Sequence, residues 1–180
     1  KQGESSVAIG KNSGQDTQGD YSVAIGIQAG KNTQGESSVA IGTASGKSIQ
    51  GQSSVAIGTA SGNFLQGNNC IAIGENAGNF GQGSNSIAIG ENAGITNQHS
   101  NTIILNASEE ILNSGARDAT YIHPIRQYAP ADHKVLIYSP SSKEMTYVSG
   151  KTFIIDHPIN KEKYLVHACL EGPEAGVYYR

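Results

Sequence analysis

The sequence predicts an all-β chain: a parallel β-roll, or solenoid, of 16-residue repeats over residues 1–106, a neck over 107–119 and a smaller β-rich module over 120–180. Three observations predict it. The phrase "SSVAIGKNSG" at Ser5 returns as "YSVAIGIQAG" at Tyr21 and as "SSVAIGTASG" at Ser37 and Ser53, with altered copies near Asn69 and Asn85, always at a step of 16. Within each copy two β-branched residues stand two apart around Ala, which is the alternation of a strand. Glycine recurs three times per repeat, a density that a helix does not tolerate and that tight corners use.

Aligned at that step, one column reads Val7, Val23, Val39, Val55, Ile71, Ile87 and Ile103, and a second reads Ile9, Ile25, Ile41, Ile57, Ile73, Ile89 and Leu105, so seven turns are legible. These pairs form one strand per coil. Their β-branched side chains are expected in the core, with small Ser and Ala on the opposite face. Gly10, Gly26, Gly42, Gly58, Gly74 and Gly90 follow the strands and mark a corner; the column from Gly14 to Gly94 marks another. A second short strand is expected near the Gln-Gly pairs, where a glutamine column runs from Gln2 to Gln98. Coils stacked at about 4.8 Å give a rod of roughly 30 Å. Two large apolar residues are a thin core for ordering sixteen. Coils of several chains are therefore expected to pack laterally, through the Ser/Ala face.

Near residue 99 the pattern decays: His99 and Asn106 take places held by glycine, and "NASEEILNSGARDA" follows. A short helical turn is expected over 108–113, with Ser108 as its N-cap. From Thr120 the composition turns to Tyr, Ile, Val and Pro, and strands are expected at 120–126, 134–139, 144–149, 151–155, 163–170 and 176–180. "SPSSKE" is the turn of a hairpin between two of them. Lys1-Gln2-Gly3 matches the tail of a repeat, so a further repeat is expected upstream, and continuation is expected beyond Tyr178-Tyr179-Arg180.

Net charge is −3 with 15% charged residues, which offers no basic patch for nucleic acid. No apolar run approaches the roughly 20 residues of a membrane span, so no membrane insertion is expected. Neither a cofactor site nor a catalytic constellation is legible. No His precedes His99 and no Arg precedes Arg117. Glu75 and Glu91 share a column, readable as a cation or glycan contact or as a solvated edge, the commoner fate of exposed carboxylates. The glutamine column reads as a ligand stripe or, more simply, as an amide ladder that holds register. His157, His167, Cys169, Glu171 and Glu174 lie close in sequence, but without a third placed ligand or a Cys-x-x-Cys pair a structural cysteine is the simpler reading. Cys70 stands in a serine column and is expected as a small residue on the packing face. Asn106-Ala107-Ser108 fits an N-glycosylation sequon, a short pattern that often occurs by chance.

The "SVAIGxxAG" motif resembles the head repeats of YadA-like trimeric autotransporter adhesins, although the step in that family is nearer fourteen. The longer pattern, "AIGxxAGxxxQG" runs ending in "QHSNTIILNAS", then "YIHPIRQ", "VLIYSPSSKEMTYVS", "KTFIIDHP" and "KYLVHACLEGPEAGVYYR", resembles repeat-bearing fibre proteins of large DNA viruses and phages. This resemblance implies left-handed β-rolls assembled as a homotrimer. It also implies a non-enzymatic structural fibre or appendage at the virion surface, with other virion or capsid proteins and host-surface glycans as partners. Two alternatives stand beside it. A bacterial adhesin head predicts a coiled-coil stalk and an anchor barrel downstream, and a glycan-cleaving tail spike requires an acid pair or similar cluster, which the repeats do not show.

Overall fold

In the computed structural model, which describes residues 1–127, 134–148, 152–156, 159 and 163–168, the chain is all-β and no helix occurs among the described residues. It divides into two units, residues 1–126 and 127–180.

The first unit is a parallel β-solenoid of about seven 16-residue turns. Its main sheet stacks β1 (Val7–Ile9), β3 (Val23–Ile25), β5 (Val39–Ile41), β7 (Val55–Ile57), β8 (Ile71–Ile73), β9 (Ile87–Ile89) and β10 (Ile103–Asn106) in chain order. Register is set column by column: Val23 faces Val39, Ala24 faces Ala40 and Ile25 faces Ile41. The second short strands expected near Gln-Gly are β2 (Thr17–Gln18), β4 (Thr33–Gln34) and β6 (Ile49–Gln50), which pair in parallel. Isolated bridges Gln50 to Gln66, Phe64 to Phe80 and Phe80 to Thr96 continue that column.

The corners follow from backbone chemistry. Gly42 has φ +127° and Gly46 φ +52°, values that L side chains rarely adopt. Two further columns turn through left-handed conformations without glycine: Ser37, Ser53, Asn69 and Asn85 in one, Ala44, Ala60, Asn76 and Asn92 in the other, with φ between +52° and +57°. Asparagine suits this conformation. In the later coils the amides also form ladders, with Asn69 Nδ2 donating to Asn85 Oδ1 at 3.3 Å and Asn101 Nδ2 to Asp118 Oδ1 at 2.8 Å.

The core is inverted relative to the sequence expectation. Ala24, Ala40, Ala56, Ala72 and Ala88, the residues between each β-branched pair, are fully buried, as are Ser22, Ser38, Ser54 and Ser86. Val and Ile face outward: in the first coil Val7 is 43% exposed and Ile9 58%, and within the stack Val23, Ile25, Val39, Ile41, Val55 and Ile57 are half-buried. The Ser/Ala face is therefore the inside of the coil and is not available for lateral packing. The reason is width. A Cβ built on Gly46 would lie 2.8 Å from Gln50 Oε1 and 3.3 Å from Ala40 Cβ, so the interior is already filled by Ala, Ser and the Gln stem.

The neck region departs from expectation as well. Residues 108–113 form no helix; instead Asn106 Oδ1 accepts from the Ser108 N–H and Oγ, and Leu112 bridges Ala93. Thr120–His123 (β11) does form a strand, but it is the eighth strand of the solenoid sheet, pairing with β10 so that Ile103 faces Thr120. The winding thus takes one step of 17 in place of 16. Tyr121 packs against the cluster formed by Ala72, Ala77, Ala88, Ala93 and Ile104, and Ile104 is the one large apolar side chain in the interior at this end of the coil.

Among its described residues the second unit holds two antiparallel pairs. β12 (Val135–Tyr138) pairs with β13 (Met145–Val148), closed at the "SPSSKE" turn, where the Ser139 N–H donates to the Glu144 carbonyl at 2.9 Å. β14 (Thr152–Asp156) pairs with β15 (Tyr164–Ala168). The strand expected at 176–180 lies outside the described residues.

Candidate functional site

Six of the seven column glutamines place the same polar device inside the coil; Gln2, in the first coil, is exposed and donates to Ser6 O at 2.8 Å. Gln18, Gln34, Gln50, Gln66, Gln82 and Gln98 are only 2–3% exposed, which removes the ligand-stripe reading of this column. Each side-chain amide spans the coil and donates to the carbonyl of the first strand residue on the opposite sheet. Gln34 Nε2 donates to Val23 O at 2.8 Å and Gln50 Nε2 to Val39 O at 2.8 Å. Neighbouring amides meet directly at one place, where Gln66 Nε2 donates to Gln82 Oε1 at 3.0 Å. The column therefore braces sheet to sheet within a coil more than it forms a continuous ladder. Serines tie coil to coil: Ser38 Oγ donates to Gly51 O at 2.8 Å and Ser54 Oγ to Gly67 O at 2.9 Å. A buried donor of this kind stabilises chiefly because leaving its acceptor unpaired is costly.

Cys70 belongs to this interior and not to an intermolecular packing face. It is fully buried, and its thiol donates to Gly83 O at 3.1 Å as Ser54 Oγ does to Gly67 O one coil earlier. Burial pushes the thiol up from its ordinary range, so it stays protonated. Asn106 is 5% exposed, and its Nδ2 donates to Glu91 O at 2.8 Å and Glu110 O at 2.7 Å. The folded coil therefore uses the sequon nitrogen internally. Glu75 and Glu91 are both exposed, and Glu91 Oε1 accepts from Asn92 Nδ2 at 3.4 Å. Among the described residues no three His, Cys, Asp or Glu side chains converge on a metal site. His157, Cys169, Glu171 and Glu174 lie outside the described residues, as does the side chain of His167.

What the coil presents outward is apolar on one sheet. The column of Val7, Val23, Val39, Val55, Ile71 and Ile87 and that of Ile9, Ile25, Ile41, Ile57, Ile73 and Ile89 stand side by side on the outer face of the main sheet, in unbroken register from β1 to β9. Ile103, Leu105 and Ile122, 37–45% exposed, continue the face to β11. Gly10, Gly26, Gly42, Gly58, Gly74 and Gly90 end each strand at positive φ, which turns the chain away before a third outward side chain interrupts the stripe. The result is a continuous apolar stripe whose members within the stack are mostly half-buried against their neighbours. On the second sheet the outer face is polar in the first coils and becomes aromatic in the middle ones, where Phe64 and Phe80 stack with ring centroids 4.9 Å apart.

Sequence reasoning located the Val, Ile and Gly columns and read the glycine corners correctly, but assigned the wrong side to Val and Ile. It did not single out Phe64 and Phe80, although their departure from an otherwise repeated phrase was visible. Compared with known protein families, curated proteins and solved structures, the chain finds no significant match.

Proposed function

We propose that the chain is a shaft segment of a structural fibre or surface appendage of a virus particle, assembled as a homotrimer through its Val/Ile faces, without enzymatic activity. The single observation that carries this reading is the inversion of the core. Each coil fills its own interior with Ala, Ser and Gln, and leaves two full columns of β-branched residues on the outside. Full burial of such a side chain contributes roughly 1.5–3 kcal/mol, and each half-buried Val or Ile has the remaining part of that open to it, repeated at every coil along the rod. Sister chains carry the same stripe at the same spacing, so a symmetric arrangement matches stripe to stripe over the whole rod. The number three, the viral setting and the association with other virion or capsid proteins rest on the resemblance of the repeats and of the 98–180 segment to viral and phage fibre proteins. The antiparallel pairs over 135–168 favour this setting over a bacterial adhesin head, whose repeats would lead into a coiled-coil stalk.

Sedimentation equilibrium of the purified chain tests the assembly and is expected to give three protomers. Immunogold labelling of purified particles from the source that encodes the chain tests the location. A monomer that keeps native circular dichroism, or label confined to a cell envelope, would remove the reading.

A further inference from the structure

The repeats act as an internal control on what each position needs for folding. At the outer positions of the second sheet the first coils carry Asp16-Thr17, Asn32-Thr33 and Ser48-Ile49, and the sixth carries Thr96-Asn97. The two coils between them carry Phe64-Leu65 and Phe80-Gly81, and the lysines Lys31 and Lys47 of the preceding position give way to Asn63 and Asn79. The backbone runs on through the change, with Phe64 bridged to Phe80 and Phe80 to Thr96 in parallel. Aromatic rings are therefore not required to build this side of a coil, and their presence in two adjacent coils calls for another cause.

The surface they make is small and of mixed character. Ile49 is 47% exposed, Leu65 56% and Phe80 52%, and the two rings stack at 4.9 Å with a 34° tilt. Thr96, the next residue of the column, is much smaller than a phenyl ring and cannot cover Phe80. Beside the ring, Gly81 leaves room that the exposed Asn97 borders, and the surface there continues as a shallow, solvent-open cleft lined by Gly81, Asn97, Gln98, His99, Ser100 and Arg117. Arg117 is paired with Asp118 at 3.6 Å. An aromatic side chain offers roughly 150–250 Å² in full, so these half-exposed side chains present a few hundred Å² together. A specific protein partner needs about 800 Å² on each side. The patch is too small for that and of the size of one or two sugar rings.

We infer that the Phe64/Phe80 patch is a saccharide-binding platform, taking an uncharged oligosaccharide whose pyranose C–H faces lie on the rings while its hydroxyls reach Asn97, Ser100 and the backbone of the cleft. A pyranose has one apolar face and a polar edge. The patch has the half-exposed Phe80 ring stacked on the more covered Phe64, beside Asn97 and Ser100, with asparagine in place of lysine at the preceding position of both coils and the one arginine of the cleft, Arg117, paired with Asp118. It lies on the sheet opposite in character to the Val/Ile face, so the two surfaces are separable. The inference deepens the fibre reading, on which its sense as host attachment rests; the binding itself belongs to the coil.

The test uses the full chain and saturation-transfer NMR with neutral hexasaccharides of glucose, N-acetylglucosamine and mannose, and a hexamer of galacturonic acid as the charged comparison. The variant is Phe64→Asn with Phe80→Asn, which installs the residue the chain itself uses at Asn32, and circular dichroism checks that it folds. Binding of at least one neutral probe, weakened about tenfold or more in the variant, is the expected result. Equal binding by the variant, binding of the uronate alone, or transfer to none of the probes overturns the inference. So does a change of sedimentation state in the variant, which would make the patch a contact between chains. A trimer that binds no sugar sinks this inference and leaves the fibre reading intact, whereas a monomer that binds sugar does the reverse.

Discussion

Replacing Gly46 by Ala is expected to be strongly destabilising, and most of the loss is expected to disappear when Gln50 is replaced by Ala in the same chain. Gly46 sits at φ +52°, where an L side chain costs about 1–2 kcal/mol. Its new Cβ would lie 2.8 Å from Gln50 Oε1 and 2.9 Å from Cδ, inside a packed coil, and overpacking of this kind costs roughly 1–3 kcal/mol. The sum is about 2–5 kcal/mol. Gln50→Ala alone removes the 2.8 Å bond to Val39 O, a carbonyl that stays in the β5–β7 ladder, at about 0.5–1.5 kcal/mol. In the double variant the two closest atoms are gone, and the left-handed backbone and a 3.3 Å approach to Ala40 Cβ remain. Ala44, at φ +56° in the same coil, shows that the fold carries alanine in that conformation. The double variant is therefore expected to be more stable than the sum of the two losses predicts, by about 1–3 kcal/mol. Urea unfolding at one fixed protomer concentration measures it, through the midpoint at unchanged slope. Effects that add within about 0.5 kcal/mol would refute the picture of the glutamine stem as the wall that sets the coil's width.

Neighbouring residues of one strand are expected to respond oppositely. Ala40→Leu overfills the interior and lowers unfolding stability by roughly 1–3 kcal/mol, whereas Ile41→Glu leaves the coil folded and, on the proposed assembly, shifts sedimentation from three protomers to one. Cys70, in a Cys169→Ser chain, is expected to resist Ellman's reagent at pH 8 until the coil is unfolded in urea; rapid labelling of the native chain would contradict its burial. Because the folded thiol titrates above the ordinary value of 9.0, its contribution to stability is complete below that pH and falls as pH rises through the raised value, so the urea midpoint should decline in the alkaline range more in this chain than in one with Cys70→Ser. Asn106→Ala removes the bonds to Glu91 O and Glu110 O and is expected to cost about 1–3 kcal/mol, and mass spectrometry of chain secreted from a glycosylating host after folding should find Asn106 unmodified.

Much of the architecture was legible because its signals are local. A step of 16 fixes which residues stack, and Val-Ala-Ile between Ser and Gly fixes the strand and its corner whatever the coil does as a whole. The "SPSSKE" turn likewise places β12 and β13 without help from the rest of the chain. Signals that depend on distant partners misled. Ser108 has the look of an N-cap, yet Asn106 turns its side chain onto that segment, and Leu112 finds a bridge to Ala93 nineteen positions back, so no helix forms. Thr120–His123 reads as the first strand of a new module because one extra residue breaks the step, but its sheet edge is the open side of β10. The aromatic patch was written plainly in "GNFLQG" and "GNFGQG"; what was lacking was the knowledge that the position faces outward.

The sequence by itself determined the period, the strands, the glycine corners and the stacking of like on like. Only the tertiary structure decided which side of the strand is the inside. Alternation divides a strand into two faces and is indifferent to which one closes. The choice was made by the space between the two sheets, which is bridged by a glutamine bonded to the opposite backbone and leaves room for Ala and Ser but not for Val and Ile. The larger side chains were left outside for want of volume, and there they became the surface on which the proposed assembly depends.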